Sequence, residues 1–276
     1  MLINKLRYLL PFMVAITLSC NKSDTNTSIT TPTSPSTPTT DDAVVIEVDP
    51  TNFIAAGLTE SITKVSQTLA DGSTVMCYRI VSNNTPSDHA QGPWCPTNIN
   101  DGIDKGGIWF EGGKLYDVDG PFIKNLATFY SNTTWKLYNS TTGTINVTDT
   151  KAACEAAARP NVDPLYKNYC VQCLPSYFPG IKKIYYIPVK PVKSKNTIAI
   201  MGMGGVVGIA FNGINFDPPA PTQAILGAYT LAPFDDAGGH VNGATGYHYH
   251  AATGKSTKIK QSDAHTAMIG YAMDGY

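Results

Sequence analysis

The stretch "GGHVNGATGYHYH", residues 238–250, decides how we expect the C-terminal part of the chain to fold. Two tyrosines and two histidines alternate over residues 247–250, and both residue types suit a half-buried pleated strand. Successive side chains of a strand point to opposite faces, so His248 and His250 share one face. The stretch therefore predicts a strand with one histidine face and one tyrosine face.

A second strand before the loop would bring His240 to the same face. If residues 243–245 form a three-residue hairpin loop, His240 lies opposite His248, with β-carbons about 4.5–5.5 Å apart. His250 is then the diagonal neighbour at about 7–8 Å, within reach of a shared ion. A competing two-residue Asn-Gly loop would pair His240 with Thr245 and weaken this arrangement. The convergence of three imidazoles thus depends on the hairpin register.

Three converging imidazoles indicate a metal site. Neutral imidazole binds zinc, copper, nickel or iron and does not suit calcium, and three such ligands leave a coordination position free for water or substrate. The alternative is a tyrosine-packed strand whose imidazoles are solvated. We expect a divalent transition metal here, with zinc or copper as the first candidates.

The composition favours strands and turns over long helices. The 276 residues include 24 Gly, 19 Pro and 15 Tyr, and only 15% are charged. A helix is predicted over residues 148–160, "TDTKAACEAAARP", which combine a capping residue, alanines and a terminal proline. We predict a mostly β fold: a single antiparallel β-rich domain over residues 44–276, with a short helical, cysteine-containing insertion near 148–175. A net charge of -1 gives no reason to expect a nucleic-acid partner.

The N-terminus indicates export. Residues 1–20, "MLINKLRYLLPFMVAITLSC", have two basic residues, an apolar run and a small residue before Cys20, as in a secretory signal. The apolar run is shorter than the roughly 20 residues of a transmembrane helix. The end of this segment resembles the bacterial lipobox. We predict a signal peptide over residues 1–19 and a lipid (palmitate) anchor on Cys20, which would attach the protein to the outer membrane or cell surface. With a plain secretory signal the protein would be secreted instead.

Polar residues dominate the segment that follows the predicted signal peptide. Residues 20–43 are rich in Ser, Thr and Pro and cannot bury a core, so we predict a disordered tether.

In an exported protein the default for cysteines is disulfide bonds, and Cys77 with Cys95 is one short-loop pairing. Redox chemistry and metal binding are the alternatives for Cys170 and Cys173 in "CVQC".

Three stretches resemble the YHYH domain family, a group of exported proteins named for this tetrapeptide: "GIAFNGINFDP", "HVNGATGYHYH" and "GYAMDGY". "IVSNNTPSDHAQGP", residues 80–93, is similar to that family's opening segment, so the resemblance spans about residues 75–276. It implies the candidate metal residues His89, His240, His248, His250 and Asp274. Such domains usually continue into a Pro-Ile-Tyr-Gly-like segment, so an end at Tyr276 is consistent with C-terminal truncation.

Three functions are compatible with these observations. The first is a surface-tethered module that binds a transition metal. The second is a metal-dependent hydrolase, in which a carboxylate acts as general base towards a metal-bound water. The candidate bases are Asp217, Asp235, Asp236 and Asp274. The third is an adhesion or glycan-binding module without metal. No G-x-S-x-G, H-E-x-x-H or phosphate-loop motif is present, so we predict metal binding and leave catalysis open.

Overall fold

The protein is described from a computed structural model. It describes residues 46–133, 135–148, 169–171, 181–193, 205–220, 222–227, 230–242, 245–261 and 265–276. All of them belong to one compact unit, Val44–Tyr276. The predicted signal peptide and tether, and nearly all of the predicted helix at 148–160, lie outside the described residues. Within the described segments, no helix has the length and apolar character that crossing a membrane requires.

Strands make up most of the described secondary structure, as the composition predicts. The strands are β1 (Thr63–Thr68), β2 (Thr74–Ser82), β3 (Ile108–Glu111), β4 (Lys114–Asp117), β5 (Val147–Thr148), β6 (Tyr169–Val171), β7 (Lys183–Pro188), β8 (Gly208–Ala210), β9 (Asn215–Phe216), β10 (Thr230–Leu231), β11 (Gly239–Asn242), β12 (Gly246–Tyr249) and β13 (Gly270–Ala272). The α-helices among the described residues are α1 (Gly120–Phe129) and α2 (Thr222–Gly227). Short 3-10 helices lie at Pro50–Asn52, Ala55–Gly57 and Ile103–Lys105.

The described strands form several small sheets. Their orders are β1-β2-β7, β10-β6-β5, β11-β12-β9-β8-β13 and the hairpin β3-β4. The prediction of an antiparallel fold needs a correction, because β5 and β10 pair in parallel with β6, and β12 pairs in parallel with β9. Parallel neighbours need a crossover connection, and long segments such as the one from β9 to β12 provide it. That residues 44–276 form a single domain stays a prediction.

Local sequence explains most of these elements. The β3-β4 hairpin turns at Gly112 and Gly113, whose φ angles of 57° and 73° suit glycine. Helix α1 is not predicted by the sequence analysis, although Asp119 caps it by accepting a hydrogen bond from Phe122 N at 2.7 Å. Residues 46–48, the described end of the alternating stretch "AVVIEV", are irregular and form no strand.

The cysteine pairing predicted from short loops is wrong. Cys77 is a buried free thiol in the middle of β2, where it lies opposite Val65 of β1 and Pro188 of β7. Cys95 belongs to a separate cluster of buried side chains around Trp109. Because Cys77 is a free thiol, the two cysteines do not bond. The pairings of the other cysteines stay predictions.

Candidate metal centre

The hairpin of β11 and β12 has the register that a three-residue loop requires. Val241 lies opposite Tyr247, and His240 lies opposite His248. The competing register, which pairs His240 with Thr245, is therefore excluded. Strand β12 is buried along its whole length, because β11 and β9 flank it and side chains pack on both of its faces. His248 is only 1% exposed, so the alternative of solvated imidazoles does not hold for it.

The three histidines converge through their Nε2 atoms. Each of the three Nε2–Nε2 distances among His240, His248 and His250 is 3.1 Å, so the atoms form an equilateral triangle, which we call the histidine triangle. Their ligand atoms make up the group in the described part of the chain that could hold a metal ion. The register and the strand alternation together produce this geometry.

The protons of two imidazoles are assigned by their backbone partners. Nδ1 of His248 lies 2.9 Å from the carbonyl oxygen of Gly246, and Nδ1 of His250 lies 2.6 Å from that of Pro218. A carbonyl oxygen only accepts hydrogen bonds, so each Nδ1 carries the hydrogen and each Nε2 of the neutral ring presents a lone pair. Two lone pairs thus face each other at 3.1 Å without a hydrogen between them. A cation bound to both nitrogens would remove this repulsion.

Burial disfavours protonation of the three imidazoles, so a proton is not suited to be that cation. It lowers the pKa of all three histidines, because a charged imidazole loses its hydration. The pKa of His248 falls to about 4 through burial, although the charge of Asp217 opposes the shift. Burial also holds the pKa of His240 well below its ordinary value, and the two neighbouring imidazoles disfavour its charge as well. At neutral pH the three rings are therefore uncharged, which is the state that binds metals.

The triangle has the dimensions of a metal site. The three Nε2 atoms are close enough together for one ion to bond all of them at zinc–nitrogen distances of about 2.0–2.1 Å. Three protein ligands would leave at least one coordination position free for water or another molecule.

Asp217 is the carboxylate nearest to the triangle. Its Oδ2 lies 3.8 Å from Nε2 of His248. Asp217 therefore adjoins the place that an ion bound by the triangle would occupy. This position suits a hydrogen bond with a water molecule bound to the ion.

A buried polar chain holds Asp217 in place. Its Oδ1 accepts a hydrogen bond from Nδ2 of Asn215, which is completely buried. Oδ1 of Asn215 accepts in turn from Lys183 Nζ at 2.9 Å and from the Tyr185 hydroxyl at 3.0 Å. Burial lowers the pKa of Lys183, against the attraction of Asp217. One carboxylate oxygen is thus fixed, and the other is directed towards the histidines.

The other candidate bases are occupied elsewhere. Buried Asp235 accepts hydrogen bonds from the Tyr247 hydroxyl at 2.7 Å and from Gly239 N at 2.9 Å, and burial raises its pKa. Asp236 forms an ion pair with Lys255 at 2.9 Å. Asp274 is exposed in the turn after β13, at the sheet edge opposite β11. Asp274, which the family resemblance added to the metal residues, is therefore not part of the histidine group.

His89 lies on the tyrosine face of β12. Its Nδ1 is 2.8 Å from Oδ1 of Asp88, and its Nε2 is 3.4 Å from the Tyr247 hydroxyl and 3.3 Å from that of Tyr249. Because tyrosines and histidines alternate along β12, this face is opposite to the one that carries His248. His89 is therefore not part of the histidine triangle. His265 lies outside the histidine triangle and is exposed.

Asn84 supports the backbone of β12, a role that its sequence context did not predict. Its amide donates to the Tyr247 carbonyl oxygen at 2.8 Å and accepts from Tyr247 N at 3.0 Å. The side chain therefore pairs with the backbone of β12 as another strand would. The only signal was the asparagine in the segment that resembles the family's opening.

Comparison with known proteins supports the family resemblance. A family model described as "YHYH protein" matches residues 184–276, which contain the complete histidine triangle and Asp217. The chain thus carries a YHYH domain over these residues. No curated protein and no solved structure matches the chain. For residues 75–183 the resemblance stays a prediction.

Proposed function

We propose that the protein is an exported, surface-tethered metal-binding protein whose YHYH domain holds one divalent transition metal through Nε2 of His240, His248 and His250. The observation that carries the proposal is that Nε2 of His248 and Nε2 of His250 lie 3.1 Å apart with their lone pairs facing each other. Each ring is held in this orientation because its Nδ1 donates to a backbone carbonyl oxygen. Such outer hydrogen bonds are how proteins orient histidine ligands. Without an ion the arrangement is electrostatically unfavourable.

Zinc and copper are the ions that this ligand set favours. Imidazole nitrogen binds both strongly, and copper exceeds zinc in intrinsic affinity. Structural zinc sites normally have four protein ligands, whereas three histidines with an open position are typical of sites where the ion meets water or another molecule. The proposed export places the site where metal from outside the cell reaches it.

Metal content tests this proposal. Full-length protein is stripped with a chelator, reloaded with zinc or copper and measured by inductively coupled plasma mass spectrometry. We expect about one equivalent in the parent and none in the variant His240→Ala/His248→Ala/His250→Ala, because a site without its ligands loses its affinity. The variant His265→Ala, which removes an exposed histidine, is the matched control and should keep the metal. A metal-free parent, or a triple variant with full metal content, would contradict the proposal.

The position of Asp217 favours metal-dependent hydrolysis as a second candidate function. A bound ion lowers the pKa of its water towards neutrality, and a carboxylate near that water accepts the proton during attack. We expect zinc-loaded protein to hydrolyse p-nitrophenyl acetate and Asp217→Asn to reduce the rate at least about 100-fold with unchanged zinc content. The control Asp236→Asn should retain the rate. Equal rates in the parent and Asp217→Asn would remove Asp217 from this role.

A further inference from the structure

An open cleft lies beside the histidine triangle. Its volume is about 240 Å³, and His250 forms part of its wall. The described lining consists of Trp109, Phe110, Pro219, Ala220, Thr222, Phe234, His250 and Ala251, and we call this the aromatic cleft. Phe234 belongs to both features, because its ring also packs against His240 and His250 at centroid distances of 5.0 and 5.3 Å.

The aromatic wall is held rigidly against the metal centre. Phe234 exchanges backbone hydrogen bonds with Ile108, at 2.7 and 2.9 Å, which join β3 to the segment that leads into β11. Its ring stacks on Trp109 at 6.0 Å with an angle of 13° between the planes. Trp109 Nε1 donates to the Tyr130 hydroxyl at 2.9 Å, so the indole is fixed as well. A ligand would therefore meet a preformed surface.

We propose that the aromatic cleft binds a single uncharged aromatic ring, and that a donor group on this ring coordinates the ion held by the histidine triangle. This inference rests on the proposed function and names the class of ligand for the same site. Phe110, 37% exposed, forms the outer wall, and its ring lies 5.7 Å from that of Phe234. The two phenyl rings border the space in which the ligand ring would lie.

The lining selects for this class of ligand. Among the described lining residues no side chain is a lysine, arginine, aspartate or glutamate, so a charged ring would lose hydration without gaining a partner. A saccharide would present several hydroxyl groups, but Thr222 supplies the one hydroxyl among these side chains. The volume is smaller than the roughly 300–1,000 Å³ of pockets for drug-sized ligands, so a single ring fits better than a larger molecule.

Two probes with the same donor group test the proposal. Cobalt(II)-loaded full-length protein is titrated with benzohydroxamate and with acetohydroxamate, and the visible absorption of the cobalt ion reports coordination. Both ligands bind the ion through the hydroxamate, and only the first carries a ring. We expect benzohydroxamate to bind at least about tenfold more tightly, since its ring leaves water for the cleft.

Variants assign the preference to the cleft. Phe110→Ala should reduce the preference to about two- to threefold, and Ala220→Phe, which fills the cleft, should abolish it. Tyr186→Ala is the matched control, because Tyr186 is 36% exposed and does not line the cleft. Acetohydroxamate affinity and cobalt content should stay unchanged in all three variants. Equal affinity for the two probes, or a preference that survives both cleft variants, would overturn the inference and leave the metal site standing. Absence of bound cobalt would overturn both.

Discussion

His250 and His89 each have a polar neighbour at both nitrogens of the imidazole ring. His250 donates from Nδ1 to the Pro218 carbonyl oxygen and presents Nε2 to the triangle. His89 has the same design on the other face of β12, with Asp88 at Nδ1 and the Tyr249 hydroxyl at Nε2. The residue types alone cannot distinguish these two settings. The face of the strand decides that the first is a ligand geometry and the second a buried hydrogen-bond network.

Asp88 should make stability depend on acid pH. Burial raises the pKa of its carboxyl, but hydrogen bonds from Asn212, Thr257 and His89 outweigh burial and hold the pKa below its ordinary value. A carboxyl with a lowered pKa stabilises the fold above its unfolded pKa of about 3.9, and the stabilisation is lost as pH falls through the folded value. We expect urea denaturation to show less stability at pH 3 than at pH 7.

Substitution isolates this contribution. The Asp88 carboxylate has four donors, which are His89 Nδ1, Asn212 Nδ2 and both N and Oγ1 of Thr257. Asp88→Asn should cost about 1–3 kcal/mol at pH 7, because a neutral amide cannot satisfy these four donors, and should cost less at pH 3. Asp104→Asn is the control at an exposed surface carboxyl that pairs only with Lys105 among the ion pairs of the described residues. Identical losses at both pH values would show that Asp88 does not act through its charge.

At the level of elements, the β11-β12 hairpin was the part most open to sequence reasoning. Strand alternation and loop length specify its register, and those two local features place His240, His248 and His250 together. The parallel pairing of β12 with β9 was not predictable in this way, because it joins segments more than 30 residues apart and depends on the crossover between them. Asp217 follows β9, so its selection among four carboxylates required the structure.

Gly246, the first residue of β12, lies directly against the side chain of Asn84. Its φ is +70°, and a β-carbon at this position would overlap with Oδ1 of Asn84, which accepts from Tyr247 N. We expect Gly246→Ala to lower the free energy of unfolding by several kcal/mol and to weaken metal binding, because both the conformation and the Asn84 contact are lost. Thermal unfolding and metal titration measure the two effects.

Gly72 provides a matched control for backbone strain. Its φ is +82°, but a β-carbon there would meet no atom within 4 Å. Gly72→Ala should therefore cost only the conformational term of about 1–2 kcal/mol and leave metal affinity unchanged. Equal losses in the two variants would mean that the Asn84 contact contributes nothing.

For the whole molecule, we propose that the N-terminal segment determines the location of the protein and that the domain determines its chemistry. The sequence predicts a lipid anchor at Cys20 followed by a tether over residues 20–43, and the proposed function places the metal site at the end of that tether. We expect the parent protein in the membrane fraction and Cys20→Ser in the soluble fraction, because loss of the thiol removes the site of acylation. Immunoblotting of fractionated cells measures this, with Cys77→Ser, a change of the buried free thiol, as the control. A Cys20→Ser protein that still sediments with membranes would exclude the lipid anchor.

Anomalous X-ray diffraction from crystals of the zinc-loaded protein measures directly whether the histidine triangle holds an ion. Data are collected above and below the zinc absorption edge. We expect an anomalous peak about 2.0–2.1 Å from Nε2 of each of the three histidines. A zinc-loaded crystal with no anomalous peak at the histidine triangle would contradict the proposed metal site.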